Sequence, residues 1–494
     1  MKKSRLLFIP ISIMGLFVFI LPLIKIVWIS FTDYNLIGSP VFNYGANFVN
    51  ILHDDLFVSS LFNMVLFTFV STILGCLVAF VLYRASVEWP KSIRILIGLL
   101  FTAVTITCLI PFSLKYFLSG DSYGYINSIL MSVHIVEQPV QFLFDPIMAK
   151  IISIMLTIFT MIGPLYMYLL SSKGSFRAKL IISAIIGIVI NVTTCFTQII
   201  AFGFPSVNYN VHNPIVHIFD YGLIRLDIGM MCAMIIITLV LLAFSSTILC
   251  GIAYIISFIK LNEKPLLVTK IAGIIFSLFS LGITMIIFIQ RVMSIFKPMA
   301  ERFIFPPRLL ALHPTFENIA QFFESGIFIK IILAMVAQTL IGIIIYSIAI
   351  IPAGYALSKV KKYTTPIIIC LVVAVIIPFC AFQVFGIKTY LQLAFFLVLT
   401  SPCIIGALFI IAKAIQNKKL ITGFLAGAAI SILGSFTNLF VNSYNTVPTL
   451  FSFILTNNQG DYVTPFLITS LILFIALIAA LLTGISLFDP AKKE

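Results

Sequence analysis

The sequence predicts an all-α membrane protein with about 12 transmembrane helices, arranged as two repeats of six. Hydrophobic residues make up 61% of the 494 residues and charged residues only 9%, and the mean hydropathy is +1.18. A soluble domain carries about 25% charged residues. Uncharged apolar segments of about 20 residues recur along the chain, and this is the length that crosses a bilayer. Six of them precede a basic turn near residues 259–268 and six follow it.

The predicted spans divide the chain into two halves. They cover residues 7–30, 58–83, 93–117, 149–171, 179–203, 228–258, 269–294, 328–357, 366–387, 389–412, 420–441 and 465–488. The first half is residues 1–262 and the second half is residues 263–494. Internally duplicated membrane proteins place their substrate path near the midplane, at the interface between the repeats. The duplication therefore favours transport.

Basic residues are concentrated in the short turns on one side of the predicted spans. Seven such segments hold 20 of the 30 Lys and Arg residues, whereas the longer loops near 31–57, 118–148 and 204–227 contain only Arg225. The positive-inside rule places the basic segments, and both termini with them, in the cytoplasm. We therefore expect a multi-pass protein of the cell membrane. Because these turns also account for the net charge of +14, we expect no nucleic-acid binding.

The sequence does not carry the residue patterns of an enzyme or a metalloprotein. The eight cysteines are scattered singly within predicted spans, without a pair at metal-ligand spacing. No nucleophile–base constellation lies within the spans, so we expect no enzymatic activity and no cofactor. Asp and Glu are absent from the deep parts of the spans, which argues against a proton relay. The five histidines fall in predicted outer loops, where a surface role is expected even for His212 and His217, which are close in sequence.

The predicted outer loop at residues 296–327 contains three basic residues and so departs from the charge rule. Its stretch from Thr315 to Glu324 is amphipathic and opens with a Pro-Thr pair followed by Glu317, a pattern typical of a capped helix. Such a helix would either contact an external partner or close the outer mouth of the protein.

Several segments resemble the permease subunits of maltose-type ABC importers for carbohydrates. Those similar to the first subunit are Trp28-Ile-Ser-Phe-Thr-Asp-Tyr-Asn-Leu, Phe48 to Asp55, Asn63, Phe67-Thr-Phe-Val and Ser122-Tyr-Gly-Tyr-Ile-Asn-Ser-Ile-Leu. Those similar to the partner subunit are Phe305-Pro-Pro, His313-Pro-Thr-Phe-Glu-Asn-Ile and Ala353-Gly-Tyr-Ala-Leu-Ser-Lys. The resemblance covers nearly the whole chain and keeps the subunit order. It implies two subunits of the type I importer permease fold fused head to tail, with an extracellular solute-binding lipoprotein and a cytoplasmic ATPase as partners.

The sequence departs from this family at the element that couples the permease to its ATPase. Family members carry a cytoplasmic loop of the Glu-Ala-Ala…Gly type, a short helix whose acidic residue docks into a cleft of the ATPase. The corresponding turns here, residues 171–179 and 413–420, contain no carboxylate and are too short for such a helix. Their basic residues include Lys173, Arg177, Lys413 and Lys418. Hydrolysis can move the spans only through a contact that differs between ATPase states, so the sequence leaves ATP coupling open.

The resemblance implies that the fifth span of each half lines the solute path. Polar side chains recur at helical spacing on one face of each of these spans, and each span also offers a phenylalanine ring. The candidate path residues are Asn191, Thr194, Phe196 and Gln198 in the first half, and Ser435, Phe436, Asn438 and Asn442 in the second half. Amides and hydroxyls in hydrocarbon require partners or a wet cavity. These side chains therefore either line a path or join helices by hydrogen bonds worth about 0.6 kcal/mol each.

Two functions are compatible with these observations. The first is the membrane permease of a binding-protein-dependent carbohydrate uptake system, with the solute path between the halves. The second is a non-transporting descendant that anchors extracellular binding proteins or other membrane proteins. The fold and the motifs favour the first function, whereas the missing coupling helices and the preserved external segment favour the second. The sequence does not identify the solute.

Overall fold

The computed structural model describes residues 6–16, 20–35, 38–106, 117–171, 175–202, 211–258, 267–298, 300–301, 304, 308–324, 340, 344, 346–358, 403–437, 478 and 481–483. Apart from one short hairpin, the regular secondary structure of this part of the chain is helical. The hairpin consists of β1 (Thr32–Asp33) and β2 (Val41–Phe42), which pair in antiparallel register with Thr32 opposite Phe42. The all-α fold class is confirmed.

The helices of the first half are α1 (Ile9–Gly15), α2 (Leu21–Ser30), α3 (Ala46–Leu52), α4 (Asp55–Ala85), α5 (Lys91–Ile106), α6 (Tyr125–Ser132), α7 (Pro146–Ser171), α8 (Phe176–Phe202), α9 (Pro214–Phe219) and α10 (Ile228–Ile256). Those of the second half are α11 (Leu267–Phe296), α12 (Glu317–Glu324), α13 (Tyr346–Ser358), α14 (Cys403–Gln416) and α15 (Leu420–Thr437). Within the described residues, three helical segments are long and apolar enough to cross a membrane: Asp55–Glu88, Pro146–Leu170 and Ile228–Ile256. The predicted membrane location is confirmed.

Most predicted spans that the structure describes correspond to helices. Spans 58–83, 149–171, 179–203, 228–258 and 269–294 match α4, α7, α8, α10 and α11. The first span is described as α1 and α2, on either side of residues 17–19, which lie outside the described residues, and the third begins as α5. Spans 328–357, 389–412 and 420–441 are described in part, as α13, α14 and α15. Span 366–387 lies outside the described residues, as does span 465–488 apart from residues 478 and 481–483.

We call the two ends of the helix bundle the hairpin end and the turn end. Of the described residues, the hairpin end comprises 30–35, 38–55, 118–146, 211–228, 296–298, 300–301, 304 and 308–324, and the turn end comprises 84–91, 171, 175–177 and 256–258. Four helices begin at the hairpin end with a side-chain cap that accepts backbone N–H groups at 2.8–3.2 Å. The caps are Asp54 for α4, Asp145 for α7, Asn213 for α9 and Asp227 for α10. These oxygens bind N–H groups that have no partner within the helix.

Small residues bring the helices of the first half into close contact. A Cβ atom added at Gly75 of α4 would lie 3.0 Å from Sδ of Met161 in α7. One added at Gly187 of α8 would lie 2.9 Å from Cγ2 of Thr72 in α4. Because lipid tails are as apolar as the side chains, helices associate in a bilayer through such close packing and through interhelical hydrogen bonds. The glycines therefore set the spacing of α4, α7 and α8.

The first long helix of the second half, α11, packs against the first half at the turn end. Nζ of Lys270 lies 2.6 Å from Oε2 of Glu88, just beyond the end of α4. One turn further along α11, a Cβ atom added at Gly273 would overlap Cβ of Ala85. Phe276 packs against the buried cluster formed by α4, α5 and α7. The helix that opens the second half is thus seated on the first.

The first helix of the chain makes the reciprocal contact. Phe8 and Ile11, at the start of α1, pack against a buried cluster of the second half. Tyr346 and Ala353 of α13 and Ile411 of α14 belong to this cluster, and each is at most 1% exposed. The first helix of each half therefore packs against the other half.

A single asparagine amide closes the end of α2. Nδ2 of Asn47, in α3, donates to the carbonyls of Ser30 and Thr32 at 3.1 and 2.9 Å. The carbonyl between them, that of Phe31, accepts the backbone N–H of Asn43 at 2.9 Å. These three carbonyls lie at a helix C-terminus, where the helix supplies no donors.

The end of α11 carries the same set of hydrogen bonds. Nδ2 of Asn318, in α12, donates to the carbonyls of Ile295 and Lys297 at 3.0 and 2.7 Å. The carbonyl between them, that of Phe296, accepts the backbone N–H of Thr315 at 2.8 Å. In both places an asparagine of a short helix thus donates to two carbonyls at the end of the preceding helix, and the carbonyl between them accepts a backbone N–H group.

Replacement of either asparagine by alanine is expected to destabilise the protein. Asn47→Ala and Asn318→Ala should each lower the free energy of unfolding by about 1–3 kcal/mol, because two carbonyls lose their donor. Thermal unfolding in detergent measures the change. Asn50→Ala is the matched control, since Asn50 is exposed on the same helix as Asn47. Equal stability of Asn47→Ala and Asn50→Ala would contradict the prediction.

Candidate functional site

Asn191 is the predicted path residue whose side chain the structure describes. It lies in α8 and is 1% exposed. Its Nδ2 donates to the carbonyl of Phe67 at 3.1 Å, and its Oδ1 accepts the hydroxyl of Thr68 at 3.4 Å. Both partners belong to α4. The amide therefore joins two helices of the first half, which is the helix-joining role that the sequence left open.

The other predicted path residues are described by their backbone or not at all. The backbones of Thr194, Phe196 and Gln198 continue α8, and those of Ser435 and Phe436 lie in α15. The side chains of these five residues lie outside the described part of the chain, as do the whole of Asn438 and Asn442. Their participation in a path stays a prediction.

Asn191 belongs to a larger polar seam between α4, α7 and α8. We define the polar seam as the buried polar side chains of these helices: Ser60, Asn63, Thr68, Ser71 and Thr72 in α4, Ser153, Thr157 and Thr160 in α7, and Ser183 and Asn191 in α8. None of these members carries a charge. The sequence reasoning missed most of them, although three pairs in α4 are three or four residues apart in the sequence: Ser60 and Asn63, Thr68 and Ser71, and Thr68 and Thr72.

The hydroxyls of the polar seam differ in how they are satisfied. Thr157 and Thr160 donate to backbone carbonyls of their own helix at 2.9 and 2.8 Å, as hydroxyls in membrane helices commonly do. The hydroxyls of Ser71, Thr72 and Ser183 are buried and have no hydrogen-bond partner among the described residues. A buried hydroxyl without a partner costs free energy.

Two histidines at the hairpin end are buried, so the expected surface role is wrong for both. His212 and His217 are 6% and 7% exposed, and their ring centroids lie 5.3 Å apart in an edge-on arrangement. The ring of Phe57 lies edge-on to His217 at 6.1 Å. The carbonyl of His212 accepts Nδ2 of Asn63 at 3.1 Å, which ties the pair to the polar seam. Among the described residues, no group of three His, Cys, Asp or Glu side chains is placed to hold a metal ion.

Burial keeps the imidazole of His217 neutral. It lowers the pKa of His217 to about 4, and the neighbouring His212 lowers it further than burial alone. The carboxylates of Asp54 and Asp220 act in the opposite direction. The carboxylate of Asp54 also accepts a hydrogen bond from the hydroxyl of Tyr221 at 3.2 Å, so polar groups lie beside the two buried histidines.

The stability of the protein is expected to fall as the pH falls from 6.5 towards 4. The unfolded chain binds a proton at His217 near pH 6.5, whereas the folded chain does so only near pH 4. The stability that the neutral ring contributes is thus fully present above pH 6.5 and is lost on acidification, by about 3 kcal/mol. Thermal unfolding in detergent across this range should show a shallower pH dependence for His217→Gln. His53→Gln, at an exposed histidine, is the control and should keep the wild-type slope. Parallel curves for His217→Gln and wild type would refute the prediction.

Asn127 organises the segment at the hairpin end that precedes α7. It is fully buried, and its Nδ2 lies 2.8–3.3 Å from the carbonyls of Ser119, Asp121 and Val140. Its Oδ1 accepts the backbone N–H of Val140 at 2.9 Å. One side chain thus holds the loop on both sides of α6, within the segment that resembles the importer family.

A lysine at the end of α11 joins segments of the two halves at the hairpin end. Lys297 is 5% exposed and donates to the hydroxyl of Tyr125 in α6, at 3.2 Å, and to the carbonyl of Arg308. The hydroxyl of Tyr125 donates to that carbonyl at 2.9 Å. Burial lowers the pKa of Lys297, and the nearby carboxylate of Glu301 opposes this shift.

The predicted capped helix in the outer loop of the second half is confirmed as α12. Oγ1 of Thr315 accepts the backbone N–H of Glu317 at 3.1 Å, as the sequence pattern predicts. The carboxylate of Glu301 accepts the N–H groups of Leu312 and His313 at 2.8 and 2.6 Å and fixes the approach to this helix. The segment Phe305-Pro-Pro lies outside the described residues.

The two turns predicted to replace the coupling helices are very short. Residues 172–175 connect α7 to α8, and residues 417–419 connect α14 to α15. In the second turn, Lys418 adopts a left-handed backbone (φ 58°), and the N–H of Lys419 donates to the carbonyl of Ala414 at 2.8 Å. These features close a helix end within a few residues, so this turn contains no additional helix.

The structure corrects the position of two of the predicted turn residues. Arg177 lies in the first turn of α8, where its guanidinium stands 5.0 Å from the ring centroid of Tyr254 and 4.6 Å from that of Phe258. Lys413 lies in the last turn of α14. The helices thus extend further than the charge pattern suggested, because basic side chains are well accommodated at helix ends. Lys173 lies outside the described residues.

Comparison with known proteins adds no family. No protein-family model matches the chain, and no curated protein is significantly similar to it. The resemblance to importer permeases therefore stays a prediction from the quoted segments.

Proposed function

We propose that the protein is the fused permease of a binding-protein-dependent carbohydrate uptake system, with two six-helix halves and a solute path between them. The observation that carries this proposal is a repeated arrangement in which an asparagine of a short helix bonds the carbonyls at the end of the preceding helix. Asn47 and Asn318 make the same pair of hydrogen bonds in the two halves, within segments that resemble the first and the second permease subunit. Two equivalent closures in subunit order support a duplicated permease.

The exchange of first helices supports a path between the halves. Because α1 packs on the second half and α11 on the first, a shift of one half moves a helix of the other. The tie between Lys297 and Tyr125 joins the halves a second time, at the hairpin end. Contacts of this kind allow two packed bodies to rock together between discrete arrangements.

The uncharged polar seam supports a neutral solute. Its members are hydroxyls and amides, which match the donors and acceptors of a carbohydrate. The seam includes part of α8, the fifth span that the resemblance assigns to the path. A charged substrate would require a compensating charge at this depth.

A second candidate function is a non-transporting anchor for extracellular or membrane proteins. The observation that favours it is the length of the connections at residues 172–175 and 417–419. The turn at residues 417–419 contains no coupling helix to which an ATPase of an importer could bind. In this alternative, the outer segments around α6 and α12 are retained as the surface that binds partners.

Co-purification from native membranes separates the two functions. If the protein is a permease, an ATPase should be recovered with it, and ATP hydrolysis should rise when a panel of mono- and oligosaccharides is added. If the protein is an anchor, extracellular proteins should be recovered without an ATPase. Recovery of neither class of partner would overturn both.

The two-half architecture is tested by dividing the chain. Residues 1–262 and 263–494, co-expressed as separate chains, should co-purify, because α1 and α11 each pack on the opposite half. Gly273→Leu should lower the recovery of the complex roughly tenfold, since overpacking against Ala85 costs about 1–3 kcal/mol. Gly282→Leu is the matched control, because nothing lies within 4 Å of a Cβ atom at that position of the same helix. Independent purification of the two halves would argue against the proposal.

A further inference from the structure

An exposed aromatic patch surrounds the hairpin. We define the hairpin patch as Trp28, Phe31, Val41, Phe42 and Tyr44, which are between 37% and 90% exposed. The ring of Phe42 lies 6.5 Å from Trp28, 6.5 Å from Phe31 and 5.0 Å from Tyr44. The side chains thus form one contiguous apolar surface, whereas large apolar patches are rare on surfaces that face only water.

The hairpin patch continues the apolar face of a membrane helix. Leu21, Ile24 and Val27 of α2 are 46%, 60% and 44% exposed and lie on the face that leads to Trp28. This face belongs to the first predicted span, in a protein with three described helical segments that are long and apolar enough to cross a bilayer. Lys25 is the one charged residue of α2 and is exposed beside this face, and a lysine in such a place extends its ammonium towards lipid headgroups. Asp33 is exposed at the edge of the hairpin.

The backbone beneath the patch is already satisfied. The three carbonyls at the end of α2 are bonded by Asn47 and Asn43, and β1 and β2 pair with each other. Unpaired backbone groups would make this region costly to bring into a medium poor in water. The described part of the hairpin can therefore present its rings to such a medium without exposing unpaired carbonyls at the helix end.

We propose that the hairpin patch is an interfacial anchor, inserted at the boundary between the headgroups and acyl chains of one leaflet. Its occupant is phospholipid, because the patch is continuous with a lipid-facing helix and combines Trp and Tyr, the residues enriched at this depth. The hairpin then fixes the height of α2 in the bilayer. This inference is independent of transport, since it holds for a permease and for an anchor protein alike.

Fluorescence quenching by brominated phosphatidylcholine tests the proposal. The chain has two tryptophans, so Trp89→Phe leaves Trp28 as the sole emitter in the full-length protein. In phosphatidylcholine nanodiscs, Trp28 should lose more than about half of its emission when the acyl chains carry bromine, and most strongly with bromine near the headgroup. The difference between wild type and Trp28→Phe gives the same quantity if Trp89→Phe does not fold.

The control places a tryptophan elsewhere at the hairpin end. Tyr123→Trp, in a chain with both natural tryptophans replaced by Phe, reports on a residue that is 51% exposed and not part of the patch. Its emission should be insensitive to bromine. Unquenched emission from Trp28 would overturn the proposal, and so would a blue shift of that emission caused by added extracellular proteins instead of lipid.

Discussion

Backbone carbonyls at the end of a membrane helix need donors that the helix cannot supply, and this requirement shapes the hairpin end of the protein. Asn47 and Asn318 meet it in the same way, because the amide group of each donates to two carbonyls at the end of the preceding helix. Since each asparagine belongs to a short helix, the same bonds also fix α3 and α12 in place. These two helix ends carry the neighbouring features of the hairpin end. The hairpin patch adjoins the end of α2, and Lys297, which bonds Tyr125 of the other half, follows the end of α11.

Within the bundle, close packing and hydrogen bonds replace the hydrophobic effect as the force between helices. Gly75 and Gly187 bring α4, α7 and α8 together, and Asn191 then reaches across to the backbone of α4. The polar seam therefore has a structural role whatever the protein transports. The hydroxyls of Ser71 and Thr72, which have no hydrogen-bond partner among the described residues, are the groups on which a functional role would depend.

The two ends of the protein differ in what they offer a partner. The hairpin end has four short helices (α3, α6, α9 and α12), buried polar side chains that join its segments, and a contact between the halves, whereas the described turn between α14 and α15 is a few residues long. A conformational change can be driven only by a partner that binds the two states differently. The hairpin end has the surfaces for such a partner, and the short turns give an ATPase little to hold.

The sequence by itself determined the helices, their caps and the shortness of the turns, since each depends on neighbouring residues. Apolar length predicted α4, α7, α8, α10 and α11, and the Pro-Thr pattern before Glu317 predicted α12.

Only the tertiary structure decided what the polar side chains contact. Helical spacing predicted which face of its helix Asn191 lies on, but not which residues it bonds. The side chain of Asn63 donates to the carbonyl of His212, which is 149 residues away in the sequence. His212 and His217 were expected at the surface, yet α9 folds back against α4 and α10 and buries them. Local patterns cannot encode such contacts, because the distance between two helices depends on the packing of every helix around them.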